Sequence, residues 1–302
     1  MFKFKTEARE LVQVFEIKVD GTPTALEVFN GKLVAAYGYK LHFFTWKDMT
    51  LMPDVATYST SMMTVSVQAL SNKELLVADY LEPLELVSVD HGTITQKCRD
   101  IFHGTFTSVV PVTPSVYLAT DSFGNIFCVE KRKPRNSNKK DGKTDSEDDD
   151  DDDDDDDEDE AKKKEWYMTN VGEFHLGEYV TCLKKVSMSK KEGNVFTYTT
   201  TNGSVGEVWK LSREDFAFWA MVEGAIAGLN VSQVGGLKHD EWREYYTERR
   251  ITPATRFVDF DLIGLFKDLD RNDKTTVFRA LSQLNLSSVE ELTEKINTLL
   301  EQ

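Results

Sequence analysis

The sequence predicts a mainly β chain, a partial seven-bladed-type β-propeller of about four blades, followed by a small α-helical C-terminal subdomain. Three observations carry that expectation. Short apolar segments recur at a fixed interval, turn-forming residues bound them, and after Leu211 the pattern changes to helical periodicity.

The recurrence is the strongest signal. Leu33-Val34-Ala35-Ala36-Tyr37, Leu75-Leu76-Val77-Ala78-Asp79 and Tyr117-Leu118-Ala119-Thr120-Asp121 begin 42 residues apart. Each leads through a turn into a second strand, over Leu41–Trp46, Leu84–Val89 and Ile126–Glu130. A fourth copy, Phe196-Thr197-Tyr198-Thr199-Thr200, begins 79 residues after the third, and an acidic tract occupies the extra length. A period of about 40–45 residues built of short strands is that of a propeller blade. Asn30-Gly31, Asp90-His91-Gly92 and Asn202-Gly203 are hairpin turn signals between β-branched and aromatic runs. A β-sandwich with coincidental spacing is the alternative, and two equal intervals favour blades. Val12 to Ile17 reads as a blade strand with no partner upstream. The arc of blades is therefore expected to be open, either as the C-terminal part of a longer protein or with another chain supplying the missing blades.

Residues 1–211 are expected to hold the blades and residues 212–302 the helices, with 131–165 a disordered acidic insertion. The segment Lys131–Lys164 has Ala161 as its one aliphatic residue and cannot offset ordering entropy by burial. It reads as a solvated blade loop rather than a dock for basic partners. Fifteen acidic residues between Asp145 and Glu160 account for nearly all of the net charge of −16. The remainder is close to neutral, unlike a surface built to hold phosphates.

Helix signals follow in the tail. Ser212 caps a helix through FAFWAMVEGAIAGL that is apolar on most faces and expected to be mostly buried. Further helices are expected over about Lys238–Thr247, Asp259–Asp268, Lys274–Leu284 and Val289–Leu300, the last with a capping box of Ser287 and Glu290.

No pattern for chemistry emerges. Cys98, Cys128 and Cys182 are odd in number and lack metal-ligand spacing, so neither a disulfide framework, a zinc site nor any cofactor is expected. No apolar run reaches 18 residues and no secretory leader is visible, which points to a soluble intracellular chain with no membrane partner. His42 falls in a strand, His91 and His103 fall near loops, and Glu82 and Glu85 flank a turn. No phosphate-binding loop, zinc-protease helix or nucleophile elbow is present. The chain reads as not an enzyme.

Two stretches are unusual. Gly172–Val180 places His175, Gly177 and Glu178 before a strand, where a tight turn and backbone bonding explain them better than a polar site. Trp242–Phe257 mixes aromatics with four arginines, which suits nucleic-acid stacking. Yet the tail from Leu237 counts 10 basic against 13 acidic residues, which favours local ion pairs. Arg249, Arg250 and Arg256 are the candidate nucleic-acid contacts.

HLGEYV at His175–Val180, TNGSVG at Thr201–Gly206 and WREYYTERRITPATRFVDFDLI at Trp242–Ile263 resemble the C-terminal region of the damage-specific DNA-binding protein 1 family. FNGKLVAA at Phe29–Ala36 and LLVADYLEPLELV at Leu75–Val87 fit its blades. That region is shared more distantly by the large subunit of the cleavage and polyadenylation specificity factor and by a propeller subunit of splicing factor 3b. One departure is that Phe260 stands where the family has glycine in Asp-Gly-Asp-Leu, which brings the local turn into question and marks a divergent member.

The resemblance implies a non-catalytic scaffold. In the full-length form three propellers are implied, with the first and third forming a clam, the middle one binding a cullin-4-type ubiquitin ligase, and the clam receiving substrate-receptor proteins through an inserted helix. This chain would supply most of the third propeller and the helices. It would bind N-terminal propeller blades of the same or another chain, and reach a cullin only through a propeller it lacks. Matching blades to the family points to Met63, Val65, Tyr80, Phe106, Ser108, Tyr179 and Thr181 as partner-binding residues, with Met63, Phe106 and Tyr179 as apolar anchors for a helix. The implied setting is DNA repair or chromatin in the nucleus, with the cytoplasm also open. The alternative is a nucleic-acid-associated propeller subunit of an mRNA 3′-end processing or splicing complex.

Overall fold

The computed structural model describes residues 2–48, 50–101, 103–133, 166–186, 195–229, 235–244, 256–284 and 286–300. The recurring apolar segments all become the second strand of a meander. Blade 1 is β3 (Ala25–Phe29), β4 (Lys32–Tyr37), β5 (Lys40–Lys47) and β6 (Thr50–Ser59), following an N-terminal hairpin of β1 (Phe2–Lys5) and β2 (Glu10–Gln13). Blade 2 is β7 (Met63–Ala69), β8 (Glu74–Tyr80), β9 (Glu85–Asp90) and β10 (Thr93–Asp100). Blade 3 is β11 (Phe106–Pro111), β12 (Val116–Asp121), β13 (Asn125–Arg132) and β14 (Tyr167–His175). Blade 4 has three strands, β15 (Val180–Val186), β16 (Val195–Thr200) and β17 (Val205–Trp209).

Every pairing within a blade is antiparallel, and each first strand packs on the first strand of the next blade: β3 on β7, β7 on β11, β11 on β15. That radial succession makes the arc a partial propeller. Blades 2 and 3 are also stitched at their rims by a short parallel pairing of Arg99 and Asp100 with Tyr167 and Met168.

The burial pattern follows from the position of each strand. β8 is buried along nearly its whole length because blades cover both of its faces, so Leu75-Leu76-Val77-Ala78 is a continuous apolar run. β6, at the outside, alternates between half-buried and exposed residues. Separate apolar layers lie between successive blades. Phe29, Leu41, Phe43 and Leu75 fill the first, Phe106, Tyr117, Phe127 and Met168 the second, and Leu118, Ile126, Leu183 and Phe196 the third. A fully buried side chain of this size contributes about 1.5–3 kcal/mol. Asn30 at φ 48° and Gly31 at φ 76° form the left-handed pair that a two-residue hairpin between β3 and β4 requires.

The helices are α1 (Arg213–Ala227), α2 (His239–Arg243), α3 (Phe260–Gly264), continued by a 3-10 turn to Asp268, α4 (Arg271–Ala280) and α5 (Val289–Leu300). Their shared core is Trp219, Val222 and Ile226 of α1 against Leu262, Ile263, Phe266, Val277, Leu292 and Ile296. Ser212 caps α1 by accepting from Asp215 N at 3.0 Å.

Several expectations need correction. Val12 does have an upstream partner, since it pairs with Lys3 in the β1–β2 hairpin, and Val14–Ile17 lie outside any strand. The acidic insertion does not begin at residue 131. Lys131 and Arg132 complete β13 opposite Met168 and Tyr167, and the Lys131 and Lys133 ammonium groups stand over the Trp166 ring, which gives these cations a fixed place. The rest of the insertion lies outside the described residues. The helix at Lys238 ends at Arg243 because Glu244 is extended at ψ 114°. Lys274–Leu284 is a helix three residues earlier, capped by Asp270, which accepts from Asp273 N at 2.8 Å. The α5 cap is Ser288, whose Oγ accepts from Glu291 N at 3.2 Å, while Ser287 N and Oγ both donate to Glu291 Oε2. α1 is half covered rather than mostly buried, with Met221 exposed. Phe260 does not spoil its turn, because Asp259 in an extended conformation caps α3 and Phe260 sets its ring edge-on to Trp219 at 5.8 Å.

Candidate functional site

Alternation along each meander brings two kinds of loop to one rim. These are the turns from second to third strand and the connections from each blade to the next. They bond to one another. Thr60 N donates to Tyr39 O, Leu81 N to Gly104 O, Ser122 N to Thr105 O, Leu176 N to Gly124 O and Thr201 N to Tyr179 O, at 2.8–3.1 Å. The acidic insertion joins the opposite ends of β13 and β14, so it leaves from the other rim.

The last residue of the second, third and fourth repeat copies fastens this rim. Asp79, 4 % exposed, accepts from Met63 N at 2.9 Å and Met62 N at 3.3 Å. Asp121 accepts from Phe123 N, Asn125 N and Asn125 Nδ2. Thr200 Oγ1 donates to Glu178 Oε2 and accepts from Ser204 N. Burial pushes the Asp79 carboxyl up even though the backbone N–H groups of Met62 and Met63 lower it.

A second recurrence lies one strand over. β7, β11 and β15 each carry a β-bulge at the rim, leaving Val65, Thr107 and Thr181 without a partner in the ladder. Such bulges re-aim side chains at the ends of strands. The sequence picked two of the three, Val65 and Thr181, and in blade 3 chose the neighbours on either side, Phe106 and Ser108. Thr107 was missed, and the 42-residue period counted from Val65 would have found it.

The predicted partner-binding residues divide into two groups. Met63, 44 % exposed, faces Tyr80 across the β7–β8 ladder, and Tyr179 is 41 % exposed in the connection between blades 3 and 4. Val65 is half-buried against the core, and exposed Thr181 donates to Thr199 O at 3.0 Å. With exposed Tyr39, Met62, Ile101 and Phe123, these side chains give the rim an apolar arc across all four blades. Phe106 and Ser108 belong elsewhere. The Phe106 ring is fully buried, 5.8 Å from Phe127, and as placed it offers no surface to a partner helix. Ser108 Oγ accepts from Leu183 N at 3.2 Å and so ties blade 3 to blade 4.

From the blade 3 rim a polar relay runs into the helices. Asn125 Nδ2 donates to Asp121, so its Oδ1 is the acceptor for His175 Nδ1–H at 2.8 Å. Burial and the nearby Arg243 charge push the His175 pKa down, which keeps this ring neutral. Arg243 Nη1 donates to His175 O at 2.9 Å, and its guanidinium lies over the rings of Phe174 and Trp242. On its other side Asp259 joins Arg243 Nε and His239 Nε2, and Glu223 accepts from Asp259 N. Gly177, at φ +79°, lets the indole of Trp242 lie where a side chain would be.

The arginine-rich stretch therefore does structural work at Arg243, which is 5 % exposed and unavailable to nucleic acid. Arg256 is exposed with Nη1 3.9 Å from Glu130 Oε2. Arg249 and Arg250 lie outside the described residues. Among the described residues no group of three or more His, Cys, Asp or Glu side chains is arranged to hold a metal ion, and no helix is long and apolar enough to cross a membrane.

Residues 1–268 match the family described as the CPSF A subunit region. Over 309 residues the chain is 27 % identical to DNA damage-binding protein 1b of Arabidopsis thaliana, covering 98 % of this chain and 26 % of that protein. It is 26 % identical to DNA damage-binding protein 1 of Solanum lycopersicum with the same coverage. With the Drosophila melanogaster protein of that name it shares 23 % over 279 residues, 89 % of this chain and 22 % of the relative. The chain thus spans about a quarter of the length of the curated relatives it matches.

Proposed function

The chain belongs to the CPSF A subunit region family, and from that premise we propose that it is a non-catalytic scaffold whose apolar rim holds substrate-receptor proteins through an inserted helix. The observation that carries this reading is the arc of exposed Met63, Phe123 and Tyr179 held on loops that Asp79, Asp121 and Glu178 fasten. Exposed apolar side chains on a stiff frame lose little entropy on binding, which suits a helix-in-groove contact. The relatives' names speak of DNA damage, so the adaptor role we assign lies in DNA repair or chromatin, in the nucleus, within the cullin-4-type ubiquitin ligase family. Cullin contact would come through a propeller outside this chain, and the open side of blade 1, where Leu26 and Val28 are exposed, fits a preceding blade.

Photo-crosslinking tests the reading. With benzoyl-phenylalanine at Tyr179 or Met63, cross-links to helical segments of nuclear receptor proteins are expected. Cross-links equally distributed from a control position on β6 would overturn it. A gel shift with single-stranded RNA or damaged duplex separates the nucleic-acid alternative, because a steep loss of affinity with salt marks phosphate binding.

A further inference from the structure

α1 and α5 contribute Trp219, Val222 and Ile226, and Leu292 and Ile296, to one helical core. Outside that core an open groove of about 610 Å³ runs between them. Phe218, Trp219 and Leu299 are buried or half-buried and give it an apolar floor. Its walls are acidic. Glu214 and Asp215, in the first turn of α1, stand one turn before Phe218 and Trp219, and Glu291 and Glu294 line the α5 side. Lys295 is the one cation among the lining residues, against those four carboxylates.

The carboxylates are not equally engaged. Asp215 Oδ2 accepts from Ser212 Oγ, and Glu291 Oε2 accepts from Ser287 N and Oγ. Among the described residues Glu214 and Glu294 have no cation partner. Lys295 shows what the groove takes. Its Nζ stands 5.7 Å from the centre of the Phe218 ring and 3.9 Å from Glu291 Oε1. A flexible side chain of α5 is thus held in a seat of aromatic face and carboxylate, the same chemistry that holds a cation from elsewhere. The complement of these walls is positive, and they repel phosphate, so neither nucleic acid nor an anionic membrane suits them. Permanently covered interfaces are depleted of charge at their centre, and charged walls over a small apolar floor suit a partner that binds and leaves.

We propose that the groove between α1 and α5 docks a basic amphipathic helix of a separate partner protein. Its apolar stripe would lie on Phe218, Trp219 and Leu299, and lysine or arginine side chains flanking that stripe would meet Glu214 and Glu294. The length fits, because α5 rises about 12 Å from Glu291 to Leu299, which two turns of such a helix span. Arginine suits the walls best, since its planar fork matches a carboxylate and also stacks on an aromatic face. The surface belongs to the helices and not to the blade loops, so the contact stands whether or not the rim holds receptor proteins.

The test uses the full chain and, as probe, a synthetic amphipathic helix of about three turns with leucine on one face and arginine on both flanks. The acidic run from Asp145 to Glu160 also attracts arginine, so affinity is read together with amide exchange in α1 and α5. Saturable binding with slowed exchange in both helices is expected. Affinity is expected to fall on the order of tenfold in the double variant Glu214→Gln, Glu294→Gln, whose two exposed positions leave the fold intact. Lys295→Gln removes the resident cation and is expected to tighten binding about threefold. Unchanged affinity in the double variant, looser binding in Lys295→Gln, unslowed exchange in α1 and α5, or equal binding by the peptide with glutamate in place of arginine overturns the proposal. Displacement of the peptide by an equal concentration of spermine overturns it in favour of a small polycation. Self-association of the chain without peptide, lost in the double variant, overturns it in favour of a second copy.

Discussion

Arg243 Nε donates to Asp259 Oδ2 across 2.6 Å, and the two side chains are 6 % and 2 % exposed. This pair sits where the helices meet blade 3, because the same guanidinium also donates to His175 O. Removing one member leaves the other charge buried and unpaired, a loss of about 3–5 kcal/mol for pairs of this kind. Arg243→Ala is expected to lower the thermal midpoint and to expose the helices to proteolysis while the blades stay intact. Limited digestion followed by mass spectrometry reads both. Equal protection of the helices in variant and parent would show that the pair does not hold the two parts together.

The groups around that pair give docking of the helices a pH dependence. Burial pushes the Glu223 carboxyl from its ordinary 4.5 up to about 6, against the lowering effect of the Asp259 N–H and His239. Burial pushes His239 down, but its hydrogen bond to Asp259 and the charges of Asp259 and Glu223 outweigh it, and its pKa is raised above 6.5. Burial raises Asp259, yet His239 and Arg243 hold it below 3.8. Asp261, raised by burial and by Asp259, completes the set. Groups with raised values favour the folded state while protonated, so their help is present at mildly acidic pH. It fades as pH rises through about 6 for Glu223 and, later, through the raised value of His239. The Asp259 contribution is lost only as pH falls through its depressed value. Stability of the helical part is expected to fall as pH rises from about 4.5 through about 6, where Glu223 ionises, and again as pH rises from 6.5 through the raised value of His239, and Glu223→Gln is expected to flatten the first part of that fall. Melting curves across this range, parent against variant, check the sign.

Phe106 and Tyr179 are expected to part company on substitution. Phe106→Ala empties a site between blades 2 and 3 and should cost about 3–5 kcal/mol of stability. Tyr179→Ala, on an exposed connection, should leave the melting temperature nearly unchanged and weaken a receptor protein on the order of tenfold. Paired melting and titration calorimetry decide it. A Tyr179 variant that binds as the parent does would remove it from the contact.

The blades were legible because a strand buried on both faces must be apolar throughout, which made Leu75–Ala78 and its counterparts visible at a fixed period. The rim was only partly legible. Met63 and Tyr179 stand just before the residues that pair with Asp79 and Thr200, but Phe106 is one position further in, paired with Asp121 as buried Thr64 is with Asp79 and buried Val180 with Thr200, and adjacent side chains along a strand point to opposite faces. The buried role of Arg243 was hidden for a different reason. Its partners, His175 O and Asp259, are respectively 68 and 16 residues away, and a run of arginines looks alike whether its members face solvent or a carboxylate.

Gly177 offers the sharpest check on how the helices seat against the propeller. A Cβ there would stand 2.6 Å from Trp242 Cη2 and 2.9 Å from Cζ3, and the residue is at φ +79°. An indole wedged edge-on to His175, with ring centroids 5.6 Å apart, is a rigid neighbour and cannot swing aside as a long flexible chain would. Gly177→Ala should therefore cost the left-handed backbone penalty of about 1 kcal/mol and an overpacking penalty of about 1–3 kcal/mol. The two separate in a double-mutant cycle. Trp242→Ala alone loses ring contacts with His175 and Arg243, but in its presence Gly177→Ala should retain only the backbone part. A coupling energy of about 1 kcal/mol or more is expected from denaturant titrations of the four proteins. Strict additivity would mean that the glycine is needed for its backbone conformation alone and that Trp242 is not held against it.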